Sequence, residues 1–287
     1  MKQPKMEKFA GLKARRVNVQ FTDDIPKYWA NGDPMVSCFF AALSTIFPDG
    51  ERFFIHSVRN YIDQVEEGEL KEAMMGFIGQ EGSHSRTHQA YNAWLAKQGY
   101  PVARLVSHTK HALLWFRKVA PPKLQIAFTA AFEHFTAILG ESSINEVPEI
   151  QAEIEKWHPV MRKVWLWHGV EENEHKAVAF DVYQFAGGGY ALRVAALIMV
   201  SLYIWIYLSG LTLYYLRLDG QLKPSVLFNG FKVFWVNPGM FRRIIPSWLS
   251  FFKPGFHPWQ HDNSKQLEKM VAQLEADGLF DFLSKAA

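Results

Sequence analysis

Apolar residues recur at helical spacing along most of the chain, and turn-forming clusters cut that pattern into segments. Residues 1–33 are the exception. Val17, Val19 and Phe21 alternate as in a short strand, and Asn31-Gly32-Asp33-Pro34 ends this irregular lead-in with a turn. From Met35 to about Val65 the pattern is helical, with a break predicted at Phe47-Pro48-Asp49-Gly50. Pro48 suits the first turn of a new helix, which would carry Glu51 near its start. A second helix is predicted from about Leu70 to Gln98, stopped by Gly99 and Pro101. Residues 102–118 read as an extra helix crossing between two halves. Pro121-Pro122 opens a third bundle helix that reaches about Asn145, and Pro148 precedes a short helix over 149–157. Pro159 starts a long fourth helix running to Phe185, ended by Gly187-Gly188-Gly189.

Residues 194–216 differ in kind. They carry no charge, are bounded by Arg193 and Arg217, and are enough to cross a hydrocarbon core. Residues 224–259 mix aromatic, proline and basic residues, and Asn263 or Ser264 is placed to cap a last amphipathic helix ending near Gly278. The chain thus divides into a lead-in (1–33), a helical bundle (34–190) and a C-terminal region (191–287) with one long apolar helix. Arg217, Lys223, Lys232, Arg242, Arg243 and Lys253 follow the apolar segment, which disfavours a single crossing. Pro224, Lys232 and Pro238 interrupt any return span. A monotopic arrangement against membrane lipid is therefore expected, and a hydrophobic face for a homodimer is the alternative.

Composition narrows the class. Apolar residues make up 49% of 287, enough to build a sizeable core and to set disorder aside. A net charge of +3 gives no reason to expect a nucleic-acid partner. Cys38 is the single cysteine, so no disulfide forms within the chain; it reads as a small core residue and fits a reducing compartment. Lys2, Lys5, Lys8, Lys13, Arg15 and Arg16 make the start basic, but no apolar stretch follows as in a signal peptide. A cytoplasmic location at the inner face of the membrane is the resulting expectation.

The chemistry lies in two repeats. Glu81-x-x-His84 and Glu172-x-x-His175 each put a carboxylate and an imidazole on one helical face, one turn apart. Each is preceded by a glutamate in an apolar-rich segment: Glu51 lies 30 residues before Glu81, and Glu133 lies 39 before Glu172. Glu, ExxH, Glu, ExxH is the ligand order of a two-metal carboxylate site in a four-helix bundle, with the long interval between the halves leaving room for a crossover. An unpaired carboxylate at Glu133, within FTAAFEHFTAIL, would be costly to bury. Carboxylates and imidazoles suit iron, manganese or zinc, and iron is the first expectation. His88 and Tyr91 extend the first stripe and His168 extends the second, as further ligands, outer donors or proton carriers. Glu171, Glu174 and His134 adjoin ligands but read as pointing elsewhere, to solvent or to core hydrogen bonds. His56 and His111 read as structural. There is no Gly-rich phosphate loop, and no spacing supports a Ser/His/Asp triad.

The chain resembles a bacterial family named "predicted metal-dependent hydrolases". The resemblance rests on Phe47-Pro48-x-Gly50-Glu51-x-Phe53-Phe54, Gln80-Glu81-x-x-His84-x-x-x-His88, Glu133-His134-Phe135-Thr136, Trp167-His168-x-x-Glu171-Glu172-x-Glu174-His175-Lys176 and Phe256-His257-Pro258-Trp259. It implies a ferritin-like fold, a metal site and a bacterial origin, and leaves the reaction open. The combined reading is an all-α, ferritin-like bundle with two metal ions held by Glu51, Glu81, His84, Glu133, Glu172 and His175. By analogy with di-iron proteins, oxidation or oxygenation of an apolar small molecule is expected first. Hydrolysis by a metal-activated water is the alternative, and a non-catalytic iron-binding or membrane-scaffold role the third.

Overall fold

The computed structural model describes residues 11–145 and 147–282. Lys2, Lys5 and Lys8 of the basic start lie outside the described residues. Asp33 opens the first helix: its carboxylate accepts from the amides of Met35 and Val36, and Pro34 fills the first turn, where no amide donor is needed. The helix, α1 (Pro34–Arg59), runs unbroken through Pro48. This corrects the predicted break, and the reason is tertiary. Pro48 lacks the N–H that would bond the carbonyl of Ser44. The Asn92 side chain, from the next helix, donates to that carbonyl at 3.0 Å instead. Glu51 consequently sits in the body of α1, not near a helix start.

Helix α2 (Glu69–Lys97) pairs with α1, and α3 (Val102–Val119) crosses over. Helix α4 (Pro122–Ile144), the short α5 (Pro148–Ile154) and α6 (Pro159–His175) follow. α4 packs on α6, with the backbones touching at Gly140 and Gly169; a Cβ built on Gly140 would lie 2.8 Å from the Gly169 Cα. Helices α1, α2, α4 and α6 form the four-helix bundle. The expected single helix from Pro159 to Phe185 is two. α6 ends at His175, and α7 (Val178–Phe185) begins after Lys176-Ala177. No proline or glycine marks this interruption. Lys176 is held there by contacts distant in sequence: it donates to the His261 carbonyl and to Asn263 Oδ1, and it lies over the Trp259 ring.

The apolar stretch is one long helix, Tyr190–Leu218, made of α8 (Tyr190–Tyr203), a π-helical turn (Ile204–Leu208) and α9 (Ser209–Leu218). By length and composition it could cross a membrane. Its inner stripe, Leu197, Val200, Ile204, Leu208, Leu211 and Tyr215, is buried against α4 and α1. Both ends are tied to the bundle side of the molecule. Arg193 is buried among Phe180, Phe251 and Phe256 and donates to the Lys253 carbonyl. Asp219 accepts from Lys27, Tyr28 and Tyr100. Helix α10 (Pro224–Phe231) follows, then α11 (Met240–Ser250) against α4, and α12 (Ser264–Ala276) against α6. Asn263 flanks α12 but does not cap it, because its side chain bonds Asn173 and Lys176. Strand β1 (Arg15–Val17) pairs antiparallel with β2 (Phe280–Phe282), so both ends of the described chain meet beside α2. The fold is all-α apart from this two-stranded ribbon.

Candidate metal centre

The bundle brings the predicted ligands to one buried point. Glu51 comes from α1, Glu81 and His84 from α2, Glu133 from α4, and Glu172 and His175 from α6; none is more than 3% exposed. Their donor atoms fall into two neighbouring sets: Glu51, His84 and His168, and Glu81, Glu133, Glu172 and His175. The division differs from one set per half of the chain. Glu81 Oε1 lies 3.8 Å from His84 Nδ1 and 3.1 Å from His175 Nε2. Glu172 Oε1 lies 3.0 Å from His168 Nε2 and 3.5 Å from His84 Nδ1, while its Oε2 lies 3.6 Å from His175 Nε2. These two carboxylates stand between the sets, where bridging ligands belong. His168 joins the donor atoms directly.

The carboxylate oxygens of Glu51, Glu81 and Glu133 and both nitrogens of His84 have no aligned hydrogen-bond partner among the described residues. Donors and acceptors lie within reach, as at 3.2 Å from His175 Nε2 to Glu133 Oε2, but their lone pairs converge instead of pairing. Donors each about 2.1 Å from one ion, at right angles, are about 3 Å apart, close to the separations seen. Four buried glutamates carry up to four negative charges, which two divalent cations would balance. The residues therefore fit a two-metal centre of hard oxygen and imidazole donors.

The electrostatics agree. Burial, then the charges of Glu172 and Glu81, pushes Glu133 up to about 8. Burial and the Glu81 charge raise Glu51 well above the usual carboxylate range. Burial pulls the other way on Glu172, but His168, His175 and His84 hold it well below that range. Burial also pulls His84 and His175 down; the carboxylates around them outweigh it and raise both. Burial and the adjacent His84 lower His168 to about 4.

An outer ring orients the imidazoles. His175 Nδ1 donates to Gln80 Oε1 at 3.0 Å, and Gln80 Nε2 donates to Glu174 at 2.8 Å. His84 Nε2 lies 3.0 Å from Glu171 Oε2. The buried Arg15 of β1 closes both chains, donating to Glu174 at 2.6 and 2.7 Å and to Glu171 at 3.2 Å. Glu171 is thus buried, bonded to Arg15 and beside the outer nitrogen of His84, within the core hydrogen bonding the sequence allowed for it; Glu174 serves the same ring. His88 Nε2 is 2.9 Å from His168 Nδ1, and His88 Nδ1 is 3.0 Å from the Ser44 hydroxyl. Tyr91 is fully buried, but its hydroxyl accepts from the Trp29 indole and not from the centre. His134 donates to the Ser247 carbonyl, His56 bonds Arg117 and His111 bonds Ser107.

Sequence reasoning missed Arg15 and Gln80 as members of the site. Gln80 lies four residues before His84 and Glu171 four before His175, so helical spacing carried a signal for both. Nothing local marks Arg15. Thr136, whose hydroxyl bonds Glu172, also lines an apolar cavity of about 60 Å³ together with Phe47, Gly50, Phe54, Leu113, Phe132 and Tyr203.

No curated protein and no solved structure matches the chain significantly. The profile of a family described as "Predicted metal-dependent hydrolase" matches residues 13–262, a span from the approach to Arg15 through every donor of the centre to the segment that holds Lys176. That description names hydrolysis, the alternative to the oxidation expected first. The match covers most of the sequence, and the chain belongs to this family of predicted metal-dependent hydrolases.

Proposed function

We propose that the protein is a two-metal hydrolase acting on an ester or amide with an apolar moiety. The observation that carries this is an almost wholly apolar cavity set one side chain from a buried seven-donor centre, with Thr136 lining the one and bonding Glu172 of the other. Glu51, Glu81, His84, Glu133, His168, Glu172 and His175 would hold the metals. Bound metals supply Lewis acidity and lower the pKa of a coordinated water to the neutral range. The chain's own residues do the rest. Phe47, Phe54 and Phe132 receive the hydrocarbon part and keep bulk water out. Thr136 fixes one oxygen of Glu172 at the cavity end. Burial and the neighbouring His168 hold His88 neutral, so its Nε2 accepts from His168 Nδ1–H while its Nδ1–H donates to the Ser44 hydroxyl, which fixes His168 with Nε2 turned towards Glu172.

A second reading, oxidation of an unactivated apolar position, draws support from the cavity wall. Its polar side chains are limited to the hydroxyls of Thr109, Thr136 and Tyr203 and the Trp205 indole, little to hold a carbonyl or a charged leaving group. Iron, manganese and zinc all suit the donors. The deciding experiment is metal analysis of fresh protein, followed by turnover of graded-chain esters and amides with and without oxygen. Hydrolysis that persists anaerobically, requires the metals and disappears on chelation supports the proposal. Oxygen uptake coupled to an oxidised product supports the second reading. Hydrolysis unchanged by complete metal removal would overturn the proposal.

A further inference from the structure

We infer that the outer face of the long apolar helix docks the protein, in plane, on an anionic phospholipid bilayer. The inner stripe of Tyr190–Leu218 is spent on α1 and α4. The opposite stripe, Met199, Leu202, Ile206 and Leu213 at spacings of three, four and seven, is 40–72% exposed. It covers no part of the bundle. Trp235, 36% exposed and packed beside Trp205, widens the apolar face. Arg193 and Asp219 pin the two helix ends to the same body, so this helix lies along the domain instead of projecting from it.

Charge selects the occupant. Residues 190–260 contain seven basic residues and one acid, Asp219, which is engaged by Lys27 and Tyr100; the whole chain has a net charge of only +3. Arg217, Lys223, Lys232, Arg242 and Lys253 are exposed, as is Arg243, which lies 3.7 Å from Glu149 of α5. A second copy placed on this face would set cation against cation, whereas anionic headgroups complement it. An apolar stripe with flanking cations is the pattern of an interfacial helix. The cavity adds a second, independent indication. Tyr203, partly exposed on α8, lines it together with Leu113 of α3 and Thr136, which bonds Glu172. A lipid-soluble compound would enter from the face that meets the bilayer. Docking itself does not depend on which reaction the centre performs.

The test is flotation of the full chain with phosphatidylcholine vesicles, with and without phosphatidylglycerol, at low and high salt. The wild-type protein is expected to float with anionic vesicles, and high salt to weaken that binding without abolishing it. Met199→Glu with Ile206→Glu should lower binding at least roughly tenfold by placing charge in the apolar layer. Lys232→Ala with Arg242→Ala should remove only the preference for anionic lipid. Circular dichroism confirms that these surface variants stay folded, and their metal content should match the wild type. Failure of the wild-type chain to float, or undiminished flotation of the double glutamate variant, would overturn the inference. So would a dimer in buffer that Ile206→Glu dissociates, since a second copy would then own the face.

Discussion

Four glutamates, Glu51, Glu81, Glu133 and Glu172, are buried together at the centre. Each is buried, and the cations of the ring beyond, chiefly Arg15, bond Glu171 and Glu174 and not these four. Glu133→Ala should therefore lose metal while keeping its helical content, because it removes a carboxylate whose burial is already costly. Metal analysis beside circular dichroism checks this; a full complement of metal in the variant would exclude Glu133 as a ligand. The same charges predict a pH dependence. In metal-free protein Glu133 keeps its proton to about pH 8, against an ordinary value of 4.5, so the native state binds more protons than the unfolded chain between these limits. Stability from this group is complete below about 4.5 and is lost as pH rises through about 8. His168, lowered to about 4 from 6.5, acts oppositely, but only below about 6.5. From pH 6.5 to 8 the raised groups act alone. The unfolding free energy of metal-free protein should fall across that window, by up to about 1.4 kcal/mol per pH unit for each proton, and the melting temperature with it. Metal should stabilise the protein more at pH 8 than at 6.5, since it replaces those protons. A flat profile in the metal-free protein would contradict this. The donors were legible at this scale because ExxH spacing fixes a shared face. Arg15 was not, since its role depends on a strand laid over α2 that no local pattern announces.

Helices position the donors, and two of their features came from contacts distant in sequence. Pro48 would ordinarily end or kink a helix, yet α1 continues because Asn92 satisfies the Ser44 carbonyl. Asn92→Ala should leave that buried carbonyl unpaired and cost about 1–3 kcal/mol. It should also loosen Glu51, which lies about two turns beyond Ser44 on α1. Chemical denaturation measures the first effect and metal affinity the second; a variant as stable as wild type would show that α1 needs no such donor. The interruption of α6 at Lys176 has the same origin. The sequence from Glu171 to Phe185 reads as uninterrupted helix, and Asn263, His261 and Trp259 supply what the local pattern omits.

Across the whole molecule, Arg15 joins the β1–β2 ribbon to the centre. Strand β1 carries it, β2 holds β1 in place, and its guanidinium reaches the partners of both imidazoles. Arg15→Met should cost about 3–5 kcal/mol, as expected when one side of a buried ion pair is removed. It should also lower metal affinity about 10–100-fold through the freed imidazoles. Arg15→Lys keeps the charge but loses the two-pronged geometry, and should fall between. Unchanged metal affinity in Arg15→Met would leave the strand pair a purely structural part.

The sequence by itself determined the helical class, the crossover, the order of the six candidate ligands and the apolar segment, because helical period and ExxH spacing are local properties of the chain. It left open which donors share an ion, and that depends on how four helices turn relative to one another. Only the tertiary structure put His168 among the donors, drew Glu171 and Gln80 into the outer ring and set Arg15 behind both imidazoles. The same holds for the long helix. Composition shows that it is apolar; only packing shows that one stripe is buried on α1 and α4 while the opposite stripe faces outward. Burial is a property of surfaces that meet, and residues far apart in the chain supply them.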